Sequence, residues 1–141
     1  MMDELAADIL ALVQGVIPQS SLTLGGRSDD PVLAKIPLPA AWVQHVKDIP
    51  DEQSYTHGPA TGVVHEAQSI LALYSVLVFV PYTTDTDMLK VQFPLIEALR
   101  VAIHAKDAPS GFRWRYAGMD IVRVYTDRLA YEQRYTVDYS T

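Results

Sequence analysis

The chain closes with Phe112 to Tyr139, FRWRYAGMDIVRVYTDRLAYEQRYTVDY, and the fold is read outward from the alternation in that stretch. Leu129, Tyr131, Gln133, Tyr135, Val137 and Tyr139 fall on one side, and Ala130, Glu132, Arg134, Thr136 and Asp138 on the other. A repeat of two residues is that of a strand with one face buried and one wet. Ile121 to Tyr125 is a second β-rich run, and Thr126-Asp127-Arg128 between them is short and polar, so the chain is predicted to end in an antiparallel hairpin. Leu129, Tyr131, Tyr135, Val137 and Tyr139 would each contribute roughly 1.5 to 3 kcal/mol on burial, so their face needs a partner surface.

Upstream, Val63 to Val80 reads VVHEAQSILALYSVLVFV, with Ile70, Tyr74, Val76, Val78 and Val80 on one face and Leu71, Leu73, Leu77 and Phe79 on the other. Apolar residues on both faces mark a strand covered from two sides. A straight strand of this length would reach about 55 Å, whereas a domain this size has a radius of gyration of about 14 Å. It must bend, break at a bulge, or project. A strand that projects leaves unpaired edge groups and apolar surface, which predicts association. Pro81 stops it.

Two helices are predicted. Asp3 can cap the first, in which Leu5, Ile9, Leu12, Val13 and Val16 recur at three- and four-residue spacing. Asp85 or Asp87 can cap the second, whose predicted buried stripe is Leu89, Phe93, Ile96, Leu99 and Ile103, with Pro94 kinking it or opening a new helical segment. Val32 to Ile36 and Ala40 to Val46 read as strands broken by Pro37 and Pro39. Surface loops are expected near 19–31 and 48–62, where Gly, Ser, Asp and Pro concentrate. The expectation is one α+β domain over 1–141: one mostly antiparallel sheet with a long hairpin, and two main helices on one face.

Composition narrows the function. The chain has 141 residues, 49% hydrophobic and 20% charged, which fits one ordinary globular domain. Seventeen acidic against eleven basic residues give a net charge of −6, which disfavours steady binding of a nucleic-acid backbone. Cysteine is absent, and with it disulfides, thiolate nucleophiles and cysteine-ligated metals. The longest nearly apolar run, Ile70 to Val80, is too short to span a bilayer, and the acidic start does not read as a secretory signal.

No catalytic, cofactor or metal residues are nominated. Gly25-Gly26 lacks the Lys and Ser/Thr of a phosphate-binding loop, and His45, His57, His65 and His104 share no helical ligand spacing. Arg113 and Arg115 alternate with Phe112, Trp114 and Tyr116, which places guanidinium groups opposite three rings. That pattern suits a partner-facing surface, and equally a solvated arginine face over an aromatic core.

The order of elements resembles the phage tail terminator (tail-completion) family of long-tailed phages. The likeness rests on the N-terminal amphipathic helix, a Pro-punctuated strand ending Trp42-Val43-Gln44, and a long strand ending LVFVP. It continues through the helix QFPLIEALR and the hairpin RWRYAG…DRLAYEQRYTVDY. Head-closure and connector (neck) proteins share much of this pattern. The resemblance implies a non-enzymatic α+β subunit without cofactor that assembles as a ring, usually a hexamer, at the head-proximal end of the virion tail. Such a ring caps the tail tube protein, ends its polymerisation and joins the head-tail connector protein, while DNA passes through without specific binding and no membrane is involved. An acidic chain suits a lumen that does not retain DNA. Leu71, Leu73, Leu77, Phe79, Arg113 and Arg115 are the expected subunit-interface residues, with the four apolar ones dividing between core and interface. A reading of another class, a small α+β enzyme or ligand-binding domain using His65, Glu66 or Arg113, stays open.

Overall fold

The computed structural model describes residues 1–23, 37–51, 68–81, 88–124 and 128–140. Its elements are α1 (Met2–Gln14), β1 (Ser20–Leu22), β2 (Ala40–Pro50), β3 (Ser69–Pro81), a π-helical turn (Met88–Gln92), α2 (Phe93–Ile103), β4 (Arg115–Val124) and β5 (Arg128–Ser140). One five-stranded sheet runs in the order β1-β2-β3-β5-β4. β1 pairs in parallel with β2, and every other pair is antiparallel, so the sheet is mixed and mostly antiparallel as the sequence predicts. Val32 to Ile36, Val63 to Ala67 and the caps Asp85 and Asp87 lie outside the described residues.

The alternation in β5 and β3 sorts their side chains as expected. Tyr74, Val76, Val78 and Val80 join Leu129, Tyr131, Tyr135, Val137 and Tyr139 in one core with Leu5, Ile9 and Val13 of α1 and Ile96, Leu99 and Ile103 of α2. Both helices therefore cover one face of the sheet. On the other face, Trp42, Leu77, Phe79 and Ala130 form a smaller cluster with Leu38, and Trp42 meets Phe79 edge to face at 5.1 Å.

Several local expectations are corrected. β3 is the middle of the sheet, paired with β2 on one side and β5 on the other, so it leaves no edge open. Ser20 to Leu22, read as loop, adds a short parallel strand, and β2 runs on through Asp48 to Pro50. Asp3 is not the cap of α1; it sits in the first turn, where a carboxylate still favours the positive helix end.

The second helix differs for a physical reason. Met88 to Gln92 form a π turn, whose wider winding carries Leu89 off the buried stripe, while Gln92, four residues before Ile96, continues that stripe and Phe93 falls about a quarter turn to its side. Leu89 and Phe93, expected inside, are 69% and 42% exposed, while Gln92 is fully buried in their stead. Pro94 falls in the first turn of α2, where its missing N–H is no loss.

Two buried glutamines fix this helix. Gln92 Nε2 donates to the Pro81 carbonyl at 2.6 Å, and its Oε1 accepts from the Tyr131 hydroxyl at 3.1 Å. Gln133 Nε2 donates to the Ile96 carbonyl at 3.0 Å, and its Oε1 accepts from the Tyr135 hydroxyl at 2.6 Å. A glutamine in the middle of an apolar strand face is thus the peg on which α2 hangs. At the other end Trp114 Nε1 donates to Asp8 Oδ2 at 2.8 Å, which ties β4 to α1.

Candidate subunit interface

The pairing registers lay out the face that α1 and α2 leave uncovered. Lys47 of β2, Leu73 of β3, Thr136 of β5 and Arg115 of β4 form one rung. Ile49, Leu71 and Asp138 form the next. Leu71 and Leu73 are half-buried and Ile49 is 41% exposed. An isoleucine left in that state forgoes roughly 1 kcal/mol of its burial energy. Lys47 and Arg115 are exposed at opposite ends of their rung, and among the described residues Lys47, Arg115 and Asp138 make no side-chain ion pair. The surface has an apolar centre and a charged rim, the anatomy of a protein contact.

The neighbouring rungs are paired from β3 to β4, while at their β2 end Gln44 Oε1 is buried without a hydrogen-bond partner among the described residues. Arg134 Nη1 donates to Asp120 Oδ2 at 2.8 Å and to Glu132 Oε1 at 2.9 Å, and Glu132 Oε2 accepts from Ser75 Oγ at 3.1 Å. The hydrogen bonds to Asp120 and then Glu132 raise the pKa of Arg134, and burial opposes them. The guanidinium lies close against Gly118, where a Cβ would stand 3.2 Å from Nη2 and where φ is +119°. Beyond this plate Leu77 and Phe79 are buried.

Of the predicted interface residues, the structure thus brings Leu71, Leu73 and Arg115 together. Leu77 and Phe79 share their face but belong to the interior, because Trp42 on the paired strand covers them. Arg113 is exposed and bonded to Asp107 Oδ1 at 3.2 Å. The three rings upstream do not form one buried row: Trp114 is fully buried, Tyr116 is half-buried and Phe112 is 44% exposed. Lys47, Ile49 and Asp138 were missed, since pairing across strands is not written in any one stretch.

A second surface lies on the helix side. Leu89, Phe93, Glu97 and Val101 stand at four-residue spacing, and the three apolar ones are 69%, 42% and 65% exposed. Beside this row Phe93, Glu97, Arg100, Tyr116 and Met119 line a groove of about 240 Å³ between α2 and β4. Arg100 is held 5.7 Å over the Tyr116 ring and 3.7 Å from Glu97, an exposed pair of little energetic weight.

The sheet edges are blunted. β2 carries a bulge between His45 and Lys47, and β4 carries two, between Tyr116 and Gly118 and between Ile121 and Arg123. At the start of β4 the edge is occupied: Trp114 bonds Ala105 and Lys106, and the Tyr116 N–H donates to His104 Nδ1 at 3.0 Å. Bulges, lysine and proline are the devices by which edges resist strand addition.

The bulge at Val46 also builds a cluster. In a regular strand residues three apart face opposite ways, but here His45 and Asp48 turn to the same side, with Nε2 2.8 Å from Oδ1. Asp48 Oδ2 accepts from the Tyr139 hydroxyl at 2.8 Å, reaching across the small Ala72 of β3. Burial first, then this bond, pushes the Tyr139 pKa up to about 12. Tyr74, edge-on to His45 at 5.2 Å, is pushed up to about 12 by burial and by Asp48. With both carboxylate oxygens engaged, the cluster clamps β2 to β5.

His57, His65 and Glu66 lie outside the described residues. Among the described residues no three His, Asp or Glu side chains gather as a metal site, and no helix is long and apolar enough to cross a membrane. Comparison with protein-family models and with curated proteins finds no match.

Proposed function

We propose that this chain is a structural subunit of a phage tail, the terminator that assembles as a hexameric ring on the head-proximal end of the tail tube. The ring ends polymerisation of the tail tube protein and presents its other face to the head-tail connector protein, with DNA passing through the channel. The observation that carries the reading is the two-rung surface of Lys47, Leu73, Thr136 and Arg115 with Ile49, Leu71 and Asp138. It is apolar at its centre and charged at its rim, and it lies on a sheet whose edges are blunted against strand addition. That is a subunit prepared to meet protein through a face. Supporting the reading are the order helix, strand, strand, helix, hairpin on which the resemblance rests, although β2 runs past Gln44 to Pro50, and the net charge of −6, which suits passage of DNA rather than its retention.

The test is electron microscopy of negatively stained protein, alone and mixed with polymerising tail tube protein. Annuli with a central channel, seated at tube ends and shortening the tubes, are the expected result. Tubes of unchanged length and a subunit that stays monomeric on light scattering, with and without tubes, would refute the reading.

A further inference from the structure

We infer that the ring contact is heterologous: the row of Leu89 on the π turn with Phe93, Glu97 and Val101 on α2 of one copy lies across the Ile49, Leu71 and Leu73 surface of the next. This rests on the ring reading and specifies which surfaces build it. The two surfaces lie on opposite sides of one sheet, since α2 packs on the face away from Leu71 and Leu73. A single copy cannot join them. Each copy offers one and receives one, the head-to-tail arrangement from which rings are built when the rotation between copies closes.

Chemistry matches the surfaces. Phe93 and Leu89 are large apolar side chains left exposed, Leu89 on the π turn and Phe93 at the start of α2, and Leu71, Leu73 and Ile49 form an apolar seat two rungs deep. Charge is complementary in both directions. The row carries Glu97 and Arg100, whose mutual contact at 3.7 Å is loose, and the seat is rimmed by Lys47 and Asp138, which have no ion-pair partner among the described residues. Glu97 opposite Lys47 and Arg100 opposite Asp138 satisfies all four. Laying a helix on this face would give the sheet a helical layer on both sides, the second supplied by the neighbour.

Two surface variants test it by sedimentation velocity. Phe93→Asp spoils the row and leaves the seat intact; Ile49→Asp spoils the seat and leaves the row intact. Each alone should be monomeric under conditions where the wild type forms rings, with unchanged circular dichroism and thermal melting. Their equimolar mixture should form a 1:1 dimer that grows no further, because one good row and one good seat remain. Lys47→Glu should weaken assembly at least tenfold, and adding Glu97→Lys should restore it.

Rings that persist in both variants, with wild-type rings present, would overturn this contact and leave the ring function standing. A mixture that stays monomeric would equally overturn it, because an isologous contact predicts no rescue. A wild-type chain that never assembles, on tubes or alone, would overturn both proposals.

Discussion

Gln133 offers the sharpest test of how the helix-side surface is held. It is fully buried, donates to the Ile96 carbonyl at 3.0 Å and accepts from the Tyr135 hydroxyl at 2.6 Å. Replacing it with leucine removes two hydrogen bonds worth about 1 kcal/mol each and strands the Tyr135 hydroxyl, itself fully buried, at a further cost of about 1 to 3 kcal/mol. The new apolar contact returns part of this, so Gln133→Leu should cost about 2 to 3 kcal/mol, a drop in Tm on the order of 10 °C. Tyr135→Phe alone leaves the Gln133 oxygen unmet and should cost about 1 to 2 kcal/mol. The double variant leaves neither group stranded, so its cost should fall short of the sum by about 1 kcal/mol or more. Urea unfolding with an unchanged m-value measures all three. Strict additivity would refute the account of Gln133 and Tyr135 as a satisfied pair whose halves depend on each other.

Gly118→Ala and Gly111→Ala both force a side chain onto positive φ, +119° and +86°, but only at Gly118 does a Cβ meet a neighbour, Arg134 Nη2 at 3.2 Å. Gly111→Ala should cost about 1 to 2 kcal/mol and Gly118→Ala about 1 kcal/mol more by urea unfolding; equal costs would remove Arg134 from the explanation. Ultraviolet titration should find Tyr74 and Tyr139 ionising near pH 12 rather than 10, and Asp48→Asn should bring both down. The unfolded chain releases those protons near pH 10 and the folded chain holds them to about 12, so their contribution is complete below pH 10 and is lost as pH climbs from 10 to 12. Normal titration of all tyrosines in the folded protein would contradict the clamp.

The faces of β3 and β5 were readable from the sequence because a period of two is a local property of one strand. Burial along a face was not. Leu71, Leu73, Leu77 and Phe79 are alike in type and share a side, yet Leu77 and Phe79 are interior and Leu71 and Leu73 are not. The difference lies in their cross-strand neighbours: Trp42 stands opposite Leu77, whereas Lys47 and Ile49 stand opposite Leu73 and Leu71. A bulge is equally silent, since nothing in His45-Val46-Lys47 announces the extra residue that turns Asp48 toward Tyr139. The same holds for the π turn. Counting back from Ile96, Leu99 and Ile103 at 3.6 residues per turn puts Gln92 on the buried stripe and Phe93 about a quarter turn to its side, and the wider turn before them carries Leu89 outward.

Those unreadable irregularities bear most on assembly. Without the bulges, β2 past Val43 and β4 past Tyr116 would be straight edges on opposite sides of one sheet, able to pair copy to copy. Pairing of that kind repeats edge on edge and extends into open fibres. With the bulges in place the edges are poor templates, and contact between copies is left to side chains on faces. A helix row seated on a sheet face has a preferred crossing geometry, so it fixes an angle between neighbours. A fixed angle set by side chains on faces is what lets a head-to-tail contact close into a ring. The π turn contributes to the same end by carrying Leu89 outward beside Phe93, while Gln92, on the buried stripe one turn before Ile96, is accommodated by its two hydrogen bonds to Pro81 and Tyr131.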